Sequence, residues 1–239
     1  MDVLDQLPAA DALPPEAREA LSAYLRLLTA RRLANVTGLR DRDEVAHTLL
    51  GDALALAAVP EVEAAAADAG CWLDLGSGAG IPGIPLALAV PTVTMVLLDS
   101  VGKKCAFLRE AVKTTGLSDR VRVVCERSEH YAAGPPGREA HELVFARAVG
   151  PLATVVELAA PLVAPEGHLV VSTSESRARD QRGDAAATAE ACGMALQRIE
   201  GLSESPLDHS VAVVVQRVGA VPDRVPRRPG LARRRPLGR

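Results

Sequence analysis

The chain has 239 residues, 48% of them apolar and 24% charged. That balance excludes a disordered chain and allows one sizeable α/β core with a small appendage. No run of about 18 apolar residues is free of charge, which excludes a membrane-spanning helix. The first residues carry Asp2, Asp5 and Asp11 in place of the basic, apolar pattern of an export signal, so the expected location is cytoplasmic. The net charge of −3 is unevenly placed, as seven arginines at 224–239 give +7 against −10 for the residues before them. Cys71, Cys105, Cys125 and Cys192 form no C-x-x-C pair, so neither a zinc site nor a disulfide framework is expected. Cys71 and Cys125 stand in apolar runs and read as small buried thiols.

Residues 15–33 and 41–58 read as helices. Leu21, Tyr24, Leu25 and Leu28 share one apolar face of the first. Asp41, with Glu44 three residues on, has the pattern of a capped helix start. A third helix is expected over 60–69. From Cys71 apolar runs alternate with helical segments. Strands are expected at Cys71 to Leu75, Val93 to Leu98, Val121 to Cys125, Leu143 to Ala146 and His168 to Ser172. Helices are expected at Pro82 to Ala89, Lys103 to Thr115 and Leu152 to Val163, with a turn at "APEGH" before the fifth strand. This alternation predicts a mostly parallel sheet covered on both faces. A helix at 178–192 leads to a closing antiparallel pair, Leu196 to Ile199 and Val211 to Val218. Beyond 221 four prolines interrupt any pattern. The expected organisation is a helical cap over 1–69, a sheet domain over 70–220 and a basic tail over 221–239.

The stretch "WLDLGSGAGIPGIPLALA" at 72–89 carries the chemistry. A strand ends near Asp74, and glycines follow where a backbone would turn sharply against a ligand. Gly78, Gly80 and Gly83 match the dinucleotide fingerprint G-x-G-x-x-G, which is a weak signal alone. Asp74 would repel a pyrophosphate and favour a ligand with an ammonium group. S-adenosylmethionine has an amino acid end and no phosphate. Asp99, ending the second strand, suits ribose hydroxyls of that donor or of NAD. Ser128 and Glu129 follow the third strand, where an adenine edge would be read. A plain helix-capping or loop role stands as the alternative for Asp74, as does a solvent loop for Ser128 and Glu129.

With these residues in view, the chain resembles the small-subunit (16S) ribosomal RNA guanine-N7 methyltransferase G family, also called glucose-inhibited division protein B. The resemblance rests on "DLGSGAGIPGIPLAL", "LLDSVGKKCAFLREA", "RSE", "ARAVGPL" and the tail "PRRPGLARRRPL". It implies a Rossmann-like class I S-adenosylmethionine-dependent methyltransferase, with a seven-stranded, mostly parallel sheet and an N-terminal helical cap. It implies donor contacts from Asp74, Gly76, Ser77, Gly78, Gly80, Ile81, Asp99, Ser100, Ser128 and Glu129. Arg147 is expected at the junction of donor and acceptor, as a positioning residue. His47, Lys103, Lys104, Arg227, Arg228, Arg233, Arg234 and Arg235 are expected on the substrate side. The implied partner is the small ribosomal subunit or its 16S RNA; no metal is expected, and the oligomeric state is left open by the sequence, with a monomer as the expectation. The chain departs from the family pattern in the cap, where "HTLLG" puts Leu50 and Gly51 in place of an Asp-Ser pair. A Lys-Gly pair after the fifth strand is also missing.

Guanine N7 presents a free lone pair and loses no proton on methylation, so no general base is required. Arg147 suits a phosphate, guanine O6 or the donor; an ion pair with a structural carboxylate is the other reading. The seven tail arginines suit RNA phosphates at salt-sensitive affinity, or else a solubilising tail. Three other functions stand beside the RNA methyltransferase. They are a methyltransferase of a small molecule or peptide, a non-catalytic S-adenosylmethionine- or RNA-binding module, and a nicotinamide oxidoreductase.

Overall fold

The computed structural model describes residues 3–30 and 41–238. The end of the expected first helix and the "ANVTGL" run lie outside the described residues. The sheet has seven strands, in the order β3-β2-β1-β4-β5-β7-β6. They are β1 Cys71–Leu75, β2 Thr94–Asp99, β3 Val121–Cys125, β4 His141–Arg147, β5 Val163–Ser174, β6 Met194–Gly201 and β7 Ser210–Arg217. Strand β7 alone runs against its neighbours, pairing antiparallel with β5 and with β6.

The pleat sorts each strand's residues between two cores, because successive side chains point to opposite faces. Trp72, Leu97, Phe145 and Val214 face one core; Leu73, Leu98, Val144 and Val213 face the other. The first face is covered by the helices Gly83–Ala89 and Gly102–Thr114 together with the N-terminal cap. Leu21, Tyr24 and Leu25 of helix Pro15–Ala30 are buried there, as the apolar stripe predicts. The cap and the sheet thus share one core. The second face is covered by helices Leu152–Ala159 and Glu175–Ala191 and by Val221 and Val225 of the C-terminal segment.

Asp41 caps its helix as expected, accepting from the amides of Asp43 at 2.9 Å and Glu44 at 3.0 Å. The helix it opens is not uniform. An α turn, Arg42–Val45, gives way to a π turn, Ala46–Gly51, before Asp52–Ala55 resumes the α form. Several boundaries differ from the sequence reading, among them helix Glu175–Ala191, which starts three residues earlier than expected, and β6, which is longer at both ends. Helix Pro60–Ala66 stops three residues short of 69. Helix Leu152–Ala159 ends before Pro161, which cannot continue it. The "APEGH" turn lies inside β5, where Glu166 takes a left-handed φ of 63°. Cys125 is exposed and Cys71 half-buried, whereas Cys105 and Cys192 are the buried thiols. Among the described residues no single helix is long and apolar enough to cross a membrane.

Candidate active site

Strands β2 and β4 leave opposite sides of β1, so their C-terminal ends part above Leu75. Such a switch point is where an open α/β sheet receives its ligand. Two adjoining cavities occupy it. The first, of about 280 Å³, is lined by Gly76, Asp99, Ser100, Ser128, Glu129 and Arg233, among others. The second, of about 350 Å³, is lined by Ser77, Gly78, Ile81, Thr48, Leu49 and Arg147. Gly76, Lys104 and Ala148 border both, so together they make one elongated trough.

The glycine turn is held from three sides. The amides of Gly76 and Ser77 both donate to the carbonyl of Leu98, at 2.8 and 3.0 Å. The Gly78 amide donates to Asp99 Oδ2 at 3.0 Å. From the cap, the Tyr24 hydroxyl donates to the carbonyl of Ala79 at 2.5 Å. Gly76 has φ +71°, and a Cβ there would stand 2.9 Å from Cγ2 of Val149. Only glycine takes that conformation and that spacing without strain.

Asp99 is buried but borders the trough. Its Oδ1 accepts the Val101 amide at 2.9 Å, and Lys104 Nζ stands 3.7 Å from Oδ2. A carboxylate has about four lone-pair sites, so acceptor capacity remains for hydroxyl groups. Lys104 therefore borders the trough beside Asp99. Lys103 is exposed and borders neither cavity.

Asp74 has a different place from the one its sequence position suggested. The pleat sends it to the cap side, fully buried beneath the turn, and it borders neither cavity. Its Oδ2 accepts the amide of Gly83, which opens helix Gly83–Ala89, at 3.0 Å. It is thus a buried cap of that helix, and the ammonium argument finds no contact here. Gly80 also borders neither cavity and lies against Ile84 and Tyr24. Burial raises the Asp74 carboxyl from its ordinary 3.8 to about 7, against the Gly83 hydrogen bond, which lowers it. The native state then keeps a proton that the unfolded chain has lost, between about pH 4 and pH 7. Stability falls as pH rises through that window. Asp74→Asn keeps an oxygen for Gly83 and removes the titration. Urea unfolding should show the variant gaining on wild type by a few kcal/mol between pH 4 and pH 8. A difference that does not change with pH would contradict it.

Arg147 ends β4 at the far end of the trough. It donates to the carbonyl of Thr48 at 2.7 Å and pairs with Asp52 Oδ2 at 3.3 Å. Asp52 is only 1% exposed and also accepts the hydroxyls of Ser172 (2.8 Å), Ser205 (2.9 Å) and Ser210. The cap therefore does supply an acid, one residue past the positions of the missing pair. A third cavity, of about 230 Å³, lies on the other side of Arg147, between Asp52, Ser172, Arg177, His209 and Ser210. His47 lines none of these cavities; its Nδ1 faces the carbonyl of Asp43 at 2.8 Å, one turn back on its own helix.

A family model described as rRNA small subunit methyltransferase G, GidB, matches residues 17–209. The chain belongs to this family. The ribosomal RNA small subunit methyltransferase G of Chloroflexus aggregans is 35% identical over 206 residues, covering 85% of this chain and 82% of its own. That of Rubrobacter xylanophilus is 35% identical over 225 residues, covering 91% and 82%. Among solved structures, M. jannaschii TYW2 in complex with AdoMet matches with a TM-score of 0.50 at 14% identity, covering 64% of this chain and 70% of that one. That likeness supports the fold alone. The family member described here is an S-adenosylmethionine-dependent methyltransferase with the class I fold. The trough fits such a donor. A donor held there would have the polar groups of Asp99, Ser128 and Glu129 at one end for its nucleoside and the glycine turn at the other for its amino acid group. Sequence reasoning missed Thr48, Leu49, Ala148 and Val149, which complete the walls, and His209 in the third cavity.

Proposed function

We propose that the enzyme methylates N7 of a guanine in 16S ribosomal RNA, with the acceptor base entering the cavity beyond Arg147. The observation that carries this reading is that Arg147 and Ala148 border both the donor trough and that cavity. Arg147 is thus a hinge point between two binding spaces. The N7 lone pair forms the new N–C bond, the methyl C–S bond breaks, and its electrons stay on sulfur. The donor supplies an activated methyl group, and no proton leaves the base. The protein's part is to align the two partners. Arg147 is pre-set for this, because Thr48 and Asp52 fix the guanidinium while it keeps spare N–H groups of its five for O6 or a phosphate. Exposed Arg228, Arg234 and Arg235 give the tail a cationic face for RNA phosphates. Arg227 is not part of that face, being paired with Glu157.

The reading is tested by offering radiolabelled S-adenosylmethionine with small-subunit particles, with extracted 16S RNA and with a low-molecular-weight cell extract. Particles and RNA come from a strain lacking the guanine-N7 mark. Label is expected in the particle or RNA fraction, and its appearance only in the small-molecule fraction would overturn the reading.

A further inference from the structure

The basic C-terminal tail does not project from the body. Glu157, on helix Leu152–Ala159, is 2% exposed and binds the tail at three points. Its carboxylate accepts Nε and a terminal nitrogen of Arg227, at 2.5 and 2.6 Å, and the amide of Leu237 at 2.8 Å. The Thr188 hydroxyl donates to the carbonyl of Leu237 at 2.5 Å. Gly238 passes so close to helix Glu175–Ala191 that a Cβ would stand 2.5 Å from the Ala187 carbonyl oxygen. A buried bidentate pair of this kind is costly to break, since either partner would be left charged and alone.

Between these anchors the chain runs along one side of the trough. Gly230, at φ +81°, donates its amide to Glu129 Oε1 at 2.8 Å. The Thr154 hydroxyl donates to the Ala232 carbonyl at 3.3 Å, and Ala232 is buried. Gly230 and Arg233 then line the same cavity as Asp99, Ser128 and Glu129. We propose that residues 227–237 form a wall of the S-adenosylmethionine site, in which Gly230 sets the Glu129 carboxylate and Arg233 faces the adenosine.

The chemistry agrees on both counts. The tail amide occupies Oε1 of Glu129 and the Ser128 hydroxyl reaches Oε2 at 3.2 Å, so the carboxylate is oriented before any ligand arrives. A planar guanidinium at a cavity wall suits the face of a heteroaromatic ring. The tail and the donor are therefore linked: whatever loosens one weakens the other.

Calorimetric titration of the full-length chain with S-adenosylmethionine tests this without RNA. Its failure is therefore distinct from a failure of the RNA reading. Gly230→Pro removes the N–H that reaches Glu129 and cannot take a positive φ. It should raise Kd about tenfold, as should Arg233→Ala. Arg182→Ala, exposed on helix Glu175–Ala191 and outside the cavity, should leave Kd unchanged. Hydrogen exchange on the wild-type chain gives a second reading, with amides 228–237 expected to exchange more slowly once donor is bound. Donor affinity within twofold of wild type in both wall variants, or unaltered exchange over 228–237, would overturn the proposal.

Discussion

Asp99→Ala is expected to weaken S-adenosylmethionine binding about a hundredfold. Hydrogen bonds to a charged group contribute about 1.5–3 kcal/mol each, and about 1.4 kcal/mol is tenfold in affinity. Two ribose hydroxyls on one carboxylate therefore suffice for that loss. Asp99 also accepts the Gly78 and Val101 amides, so the variant loosens the glycine turn as well. Asp99→Asn separates the two effects. It keeps an oxygen for a backbone amide and loses the charge, and its affinity should fall between those of wild type and Asp99→Ala. Titration calorimetry reads both variants. A dissociation constant within threefold of wild type in Asp99→Ala would remove Asp99 from the donor site.

The second large effect is on stability. Asp52 joins the cap to β4, β5, β7 and the loop before β7, through Arg147, Ser172, Ser205 and Ser210. Arg147 is 18% exposed at its side chain. Truncating its partner leaves a largely buried guanidinium charge and three hydroxyls without their acceptor. Asp52→Ala should cost about 3–5 kcal/mol in urea unfolding. Arg147→Met should relieve part of that cost, so the double variant should be more stable than the sum of the single effects implies. Strict additivity would show that the pair does not interact.

The inner strands β1, β2, β4 and β7 were legible in the sequence because they are buried on both faces, whereas the edge strands β3 and β6 are partly exposed. Runs such as "CWLDL" and "TMVLLD", five and six residues long, read as strands. The ends of β1 and β2 were legible too, since acids and glycines stand where an apolar strand stops. What the sequence did not show is closure over distance. Thr48 and Gly76 border one cavity yet lie far apart in the chain, and nothing local marks Thr48. Counted from His47, the Asp-Ser positions fall on Leu50 and Gly51 and not on Asp52. The π turn Ala46–Gly51 adds a residue to that stretch and brings Asp52 round to Arg147. The tail shows the limit of reading charge alone. Arg227 counts as +1 in any sum, but its neutralising partner, Glu157, is 70 residues away in the chain. Asp74 sits where the motif puts it, yet the pleat turns its side chain away from the trough.

The measurement that bears most directly on the central claim is the position of the transferred methyl group. Purified enzyme, small-subunit particles lacking the mark and tritiated S-adenosylmethionine are incubated together. The RNA is then reduced and cleaved with aniline, which breaks the chain at N7-methylated guanine. Cleavage at a single guanine that carries the label is the predicted result. Label on an exocyclic amine, on a ribose or on no RNA at all would contradict the account.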